Sequence, residues 1–404
     1  MENSNFQWKI LSLVLTASLI TVSTLYELGI GYTNSESVNN HQNISSGKLT
    51  ELNLWRKESV FRETLESYIK SVTAKNSTDY IPLERRIAVF DWDGTIFCDT
   101  DPVDFEYHLL KYRILEDPDY VDKASNFEKE TAHKIQNWID TGRAENNLSE
   151  DHSKSVATSF KGMTIDEIKN YVLKYSNKPA YGYNGMTIGD GVYKPMKQVI
   201  QYLQDYNFTV YVVSGTDRLI VRPLAVEKLG IPERQVIGSD ETLVAKNQNN
   251  TEGSKYQYTY EDDIVAGGDV ISKNLKMNKV INIVREIGVP PVLAFGNSPG
   301  DFSMARYTLS NNQYKSAAFM VCCDDPEREN CDIEKTNKLV EESRENGFIT
   351  ISMKKDWYTI YGEEVTKKHH STTIPRRVIH FINEYTKNNR KRKNDDTLNK
   401  IKNY

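Results

Sequence analysis

Ile87-Ala-Val-Phe-Asp-Trp-Asp-Gly-Thr-Ile-Phe97 is the stretch from which the fold can be read. Ile87 to Phe90 are four consecutive apolar residues, the pattern of a strand buried on both faces. Asp91, Asp93, Gly94 and Thr95 follow at once. A buried strand tolerates no lone charge, so two carboxylates at its end call for a partner, and a divalent cation is the natural one. In extended backbone Asp91 and Asp93 point to one side. A cation there would hold one ionised while the other carries a proton. Gly94 permits a tight turn, and Thr95 offers a hydroxyl and an N–H to an anion.

FDWDGT resembles motif I of the haloacid dehalogenase (HAD) superfamily, in its phosphatase branch. The resemblance implies an α/β fold: a doubly wound, Rossmann-like parallel sheet with an inserted helical cap and a small β-hairpin excursion. It also implies three further motifs in fixed order. Phe208-Thr-Val-Tyr-Val-Val-Ser-Gly-Thr216 is a β-branched and aromatic run. It ends in Ser214 and Gly215, and a helix following them would seat an anion at its free N–H groups. The resemblance makes Ser214 the phosphate ligand of motif II, while Arg218 and Arg222 read as a solvated helix face. Motif III is a phosphate-binding lysine. Lys273, Lys276 and Lys279 are candidates, and Lys279, heading a helix over Val280–Ile287, fits the family pattern. Pro291-Val-Leu-Ala-Phe-Gly-Asn-Ser-Pro-Gly-Asp301 supplies motif IV. Asn297 stands where the family commonly has an acid, and Asp301 follows four residues later. Asparagine offers Mg²⁺ a carbonyl oxygen without charge.

Carboxyl ends of neighbouring strands in a doubly wound sheet meet at one crevice. The expected site is therefore Asp91 and Asp93 (catalytic), Thr95, Ser214, Gly215 and Lys279 (phosphate-binding), and Asp91, Asp93, Asn297 and Asp301 (metal, Mg²⁺). The implied reaction is hydrolysis of a small phosphomonoester, phosphoserine- or phosphocholine-like, through an aspartyl-phosphate on Asp91. Phosphotransfer to an acceptor alcohol, or a binding module weakened by Asn297, are the alternatives.

The remaining chain frames that core. Its formal charge of -5 over 404 residues gives no sign of nucleic-acid binding. Residues 1–25 hold the apolar run Ile10 to Leu25, which reads as a signal peptide or signal anchor and a possible membrane tether. Residues 26–48 read as a polar linker. Leu49 to Ala74 has helical periodicity, with Leu52, Trp55, Val60, Phe61, Leu65 and Ile69 near one stripe. Residues 49–97 thus carry a helix and the first core strand, 98–190 the cap, 191–385 the rest of the core, and 386–404 a basic tail. Within the cap, Asp104–Leu115, Tyr120–Thr141 and Ile165–Tyr175 read as helices. Asp99, Asp104 and Glu106 read as surface acids, with contact to a cationic substrate group as the sharper alternative. A hairpin of Thr242–Ala245 with Tyr256–Tyr260 is expected, and Phe348–Met353 as an edge strand. Secretion is expected, with Asn43, Asn76, Asn147, Asn207 and Asn249 as sequons and a disulfide from Cys331 to Cys322 or Cys323. Cys98 reads as a buried thiol, and His369 and His370 as non-catalytic.

Overall fold

A computed structural model describes residues 49–310 and 313–368. The leader, the linker with Asn43, the His369–His370 pair and the tail lie outside the described residues. The elements run in order α1 (Val60–Thr73), β1 (Ile87–Phe90), α2 (Phe105–Leu115), α3 (Asn126–Thr141), α4 (Leu148–Ser159), α5 (Ile165–Ser176), β2 (Tyr183–Asn184), α6 (Lys194–Asp205), β3 (Thr209–Asp217) and α7 (Arg218–Leu229). They continue as β4 (Val236–Ala245), β5 (Ile264–Ser272), α8 (Met277–Glu286), β6 (Leu293–Gly296), α9 (Phe302–Ser310), β7 (Ala317–Cys322), α10 (Ile333–Glu345), β8 (Ile349–Ser352) and β9 (Thr366–Lys367).

Seven strands form one sheet in the order β5-β4-β3-β1-β6-β7-β8. Every pairing is parallel except β4 with β5. The chain moves outward from β1 through β3 and β4, then returns to the other side of β1 at β6. The reversal places a crevice at the carboxyl end of β1. All four residues of β1 are buried, because helices cover both faces. Phe90, Phe295 and Phe319 stack across β1, β6 and β7 at centroid separations of 4.1 and 4.9 Å. β8 is the edge strand, as expected.

Four helices, α2 to α5, lie between β1 and β3, where the cap is expected. Only three of these were expected. α4 escapes the sequence because its inward residues include His152, Ser155 and Ser159, so it shows no continuous apolar stripe. α3 begins at Asn126 rather than Tyr120, where Ser125 and Glu128 form a reciprocal capping box. α1 also starts later than expected, at Val60, with the Ser59 hydroxyl capping it. Leu52 and Trp55 are still buried, but from a turn, whereas Val60 is 70% exposed.

The hairpin is the larger correction. The strand returning against β4 is Ile264–Ser272, and Tyr256–Tyr260 lies in the loop before it. The tyrosines there are drawn to Asp262, which accepts from the Tyr256 hydroxyl, while Tyr258 donates to the Asp262 carbonyl. β5 would be an open edge, but the cap covers it. Gly162 N donates to Ala266 O at 2.8 Å, and Ala266 N to Met163 O at 3.0 Å. A separate antiparallel pair, β2 with β9, completes the strands. Cys323 and Cys331 are disulfide-bonded, while Cys98 and Cys322 are buried thiols. Asn76, Asn147, Asn207 and Asn249 are all exposed. Among the described residues, no helix is long and apolar enough to cross a membrane.

Candidate active site

The site forms where β1, β3 and β6 end. Asp91 follows β1 directly, and its N–H donates to Phe295 O at 2.9 Å, fixing motif I to β6. Its carboxylate is buried and meets one cation. Lys279 Nζ donates to Asp91 Oδ1 at 2.5 Å and to Asp301 Oδ1 at 2.6 Å. Of the three candidate lysines, only Lys279 enters the crevice. Lys273 reaches the Ser149 carbonyl and hydroxyl of the cap, and Lys276 is exposed with φ of 52°. α8 starts at Met277, one turn earlier than expected, so Lys279 sits in its first turn. Burial opposes the Lys279 charge, but Asp301 and Asp91 outweigh it and hold the ammonium above the ordinary lysine value.

Asp93 lies beside them. Thr216 Oγ1 donates to Asp93 Oδ2 at 2.6 Å, while Oδ1 is buried without a hydrogen-bond partner. Burial lifts Asp93 to about 6, against the Thr216 hydrogen bond. Gly94 turns the chain with φ of +70°. The Thr95 hydroxyl is likewise buried and unpartnered.

Motif II departs from expectation in one respect. No helix opens after Ser214. β3 continues to Asp217 with an irregularity between Val213 and Asp217, and α7 begins at Arg218. The bulge turns Thr216 toward Asp93. Ser214 Oγ accepts from Thr216 N at 3.0 Å, which leaves its hydroxyl proton free for an anion. Ser214 is fully buried. Asn274 braces this strand end by donating to Ser214 O at 2.9 Å, and Ser239 by donating to Gly215 O at 2.6 Å. Arg218 pairs with Glu286, and Arg222 donates to Glu233 O.

In motif IV, Asp301 is saturated. Its Oδ2 accepts from Asn297 N, Ser298 N and Ser298 Oγ, each at 3.1 Å. It holds Lys279 and the loop, so a metal would reach it through water or by displacing these donors. Asn297 Nδ2 lies 3.3 Å from Asp99 Oδ2.

The acids after motif I are not surface acids. Glu106 is 7% exposed, and Asp99 and Asp104 are partly buried. Burial, then Glu329, raises Asp99 to about 7. Burial, then Asp93, lifts Asp104 well above the carboxylate range. Burial, then Asp217, raises Glu106 to about 8. Glu106 Oε1 accepts from Asp217 N at 2.9 Å, and its Oε2 lies 3.7 Å from His152. No local pattern announces this, because acids alternating with Val103 and Phe105 fit a solvated face equally well. Asp99, Thr216 and Asn274 also belong to the site, through Asn297, Asp93 and Ser214 respectively.

The donor set suits a hard divalent cation. The donors expected here, the Asp91 carboxylate, the Asn297 amide oxygen and the Asp93 carbonyl, are of the oxygen type that such a cation takes. Among protein groups alone, burial and then Asp301 push Asp91 up to about 8 despite Lys279. A bound cation would favour the ionised form. Among the described residues, however, no three His, Cys, Asp or Glu side chains form a ready cation cage.

The model of the family described as "haloacid dehalogenase-like hydrolase" matches residues 88–306 of the 404, more than half the chain. No curated protein matches the sequence. Several solved structures are similar. A functionally unknown protein from Anaerococcus prevotii shares 15% identity over 72% of this chain and 92% of its own, with a TM-score of 0.44. Cytosolic 5'-nucleotidase IIIB bound to cytidine shares 12% over 74% and 88%, with a TM-score of 0.43. A phosphoserine phosphohydrolase-like protein from Francisella tularensis shares 17% over 58% and 87%, with a TM-score of 0.32.

Proposed function

The chain belongs to the haloacid dehalogenase-like hydrolase family, and on that premise we propose that it is a Mg²⁺-dependent phosphomonoesterase working through an aspartyl-phosphate. The observation carrying this reading is the Lys279 ammonium held between Asp91 and Asp301, with Ser214 on the neighbouring strand β3.

Lys279 occupies Asp91 Oδ1, so Oδ2 is the oxygen that attacks phosphorus. The bond from phosphorus to the ester oxygen breaks as the Asp91–phosphorus bond forms. Asp93 gives its proton to the departing alkoxide. Its pKa of about 6 suits a group that is protonated in one step and ionised in the next. Ser214 and Lys279 hold the phosphoryl oxygens where charge builds. In the second step Asp93 takes a proton from water, which attacks phosphorus and releases Asp91 and inorganic phosphate. When bound between Asp91, Asn297 and the Asp93 carbonyl, Mg²⁺ would neutralise the charge that otherwise keeps two anions apart.

The substrate reading follows from the acids. Asp104 and Glu106 lie at the cap's entry near Asp93 and are protonated in the empty site, and a cationic group brought in with the substrate would favour their ionised forms. A small phosphomonoester carrying an ammonium group, phosphoserine- or phosphocholine-like, balances them. The disulfide and the exposed sequons are in keeping with a place in the secretory pathway. The test is release of phosphate from p-nitrophenyl phosphate and from amino-alcohol phosphates, with and without Mg²⁺. Hydrolysis that needs Mg²⁺ and vanishes in Asp91→Asn supports the reading. Equal inertness of wild type and variant across metals and pH defeats it.

A further inference from the structure

We infer that Asp99 is a positioning residue for the cation: it aims the Asn297 amide oxygen at the metal and restores the negative charge that asparagine lacks. The inference rests on the reading of the crevice as a Mg²⁺ site.

The site has a charge deficit to make good. Asn297 contributes a neutral oxygen. Asp301 cannot compensate, because Lys279 holds one of its oxygens and the Asn297–Ser298 segment holds the other. The Asp93 contribution is a backbone carbonyl. Asp91 is then the one ionised side chain among the expected direct ligands, in keeping with the lack of a three-acid cage among the described residues.

Asp99 stands at the place that mends this. Its Oδ2 lies 3.3 Å from Asn297 Nδ2. With a cation in the crevice Asp99 stays ionised and only accepts, so the amide turns its nitrogen to it. The amide oxygen is thereby held on the opposite side, and the choice between the two amide orientations is settled chemically. The contact is close-built. A Cβ on Gly94 would overlap both Asn297 Nδ2 and Asp99 Oδ2, so the motif I turn, Asp99 and Asn297 meet around one glycine.

The backbone carrying Asp99 is anchored from behind. Thr100 donates its hydroxyl to Glu329, which is fully buried and also accepts from Tyr183 and Tyr361. Asn330 Nδ2 donates to Thr100 O at 2.9 Å. Both Glu329 and Asn330 lie in the loop closed by Cys323–Cys331. A carboxylate held beside Glu329 and Asp93 is an electrostatic cost unless a cation shares the space. Its charge and its hydrogen bond act in the same direction, as outer partners of metal ligands do.

The experiment is calorimetric titration of MgCl2 into the wild type, Asp99→Asn, Asn297→Asp and the double variant Asp99→Asn/Asn297→Asp. Unfolding temperatures in EDTA are read alongside. Asp99→Asn is expected to weaken Mg²⁺ binding about 10- to 100-fold, with the unfolding temperature in EDTA unchanged or higher. The double variant has the wild-type net charge and is expected to bind within several-fold of wild type. It tests the inference even if the single variant does not fold. Wild-type affinity in Asp99→Asn, or a folded double variant that binds Mg²⁺ more than about 10-fold more weakly than wild type, would overturn the role of Asp99. A wild type that binds no Mg²⁺ yet hydrolyses phosphomonoesters in EDTA would instead remove the metal reading itself, and the inference with it.

Discussion

At the scale of single residues, the site is a set of buried carboxylates arranged around one ammonium. Lys279→Met is expected to be costly twice over. It removes a phosphate ligand and leaves Asp91 and Asp301 buried without their cation. Breaking a buried pair from one side costs about 3–5 kcal/mol, so both turnover and the urea midpoint in EDTA should fall. An unchanged midpoint would show that Lys279 is not the partner described. Asp93→Asn removes a proton donor and acceptor, and a loss of about 10²- to 10⁴-fold in kcat is expected. Thr216→Val takes away the hydroxyl that holds Asp93 Oδ2. It should lower kcat more than it alters KM, and Thr216→Ser should recover most of the loss. A KM effect alone would assign Thr216 to substrate binding instead. Asp91, Asp93, Ser214 and Lys279 were legible because each terminates or flanks a conspicuous apolar run. Thr216 and Asn274 were not. Their roles depend on a bulge in β3 and on a side chain reaching back across 60 residues to Ser214 O, and neither leaves a local pattern.

At the scale of elements, β1, β3 and β6 were readable to within a residue or two, because burial on both faces demands unbroken apolar runs, whereas β4 starts at Val236, six residues before the Thr242 start expected for the hairpin. Elements with mixed faces were not readable in this way. β5 is buried at Val265 and Ala266 but exposed from Asp269 to Ile271, and Tyr256–Tyr260 looked more strand-like than the true return strand. The loop from Cys323 to Cys331 is a further element with a distinct task. Arg328 bonds the carbonyls of Met353, Trp357 and Tyr358, and Glu329 gathers three hydroxyls. Replacing both cysteines by serine removes a short-loop crosslink, worth about 2–3 kcal/mol in the chain-entropy account. The urea midpoint of the oxidised wild type should exceed that of the double variant, and reduction should erase the difference. Equal midpoints before reduction would mean that Glu329 and Arg328 hold the loop unaided.

At the scale of the molecule, cap and core share a polar interior whose titration shapes stability. Burial first, then neighbouring acids, raises Glu106 to about 8 and Glu241 to about 9, and burial, with Asp240, raises Asp217 to about 7. A raised carboxyl favours folding below its unfolded value, and that gain is lost as pH climbs through the folded value. Buried His108, lowered to about 4, works oppositely: its contribution is lost as pH falls below the ordinary histidine value toward 4. The unfolding temperature in EDTA is therefore expected to peak in mildly acidic solution and to decline from about pH 6 to 9. A flat or rising profile over that interval would contradict the buried acid cluster. The central claim is covalent: Asp91 carries the phosphoryl group during turnover. Quenching the enzyme in mid-turnover with borohydride, then mapping peptides by mass spectrometry, reads this directly, since an acyl-phosphate is reduced to an alcohol. The account expects homoserine at position 91 in the wild type and none in Asp91→Asn. Reduction at another residue, or none while substrate is being consumed, would contradict it.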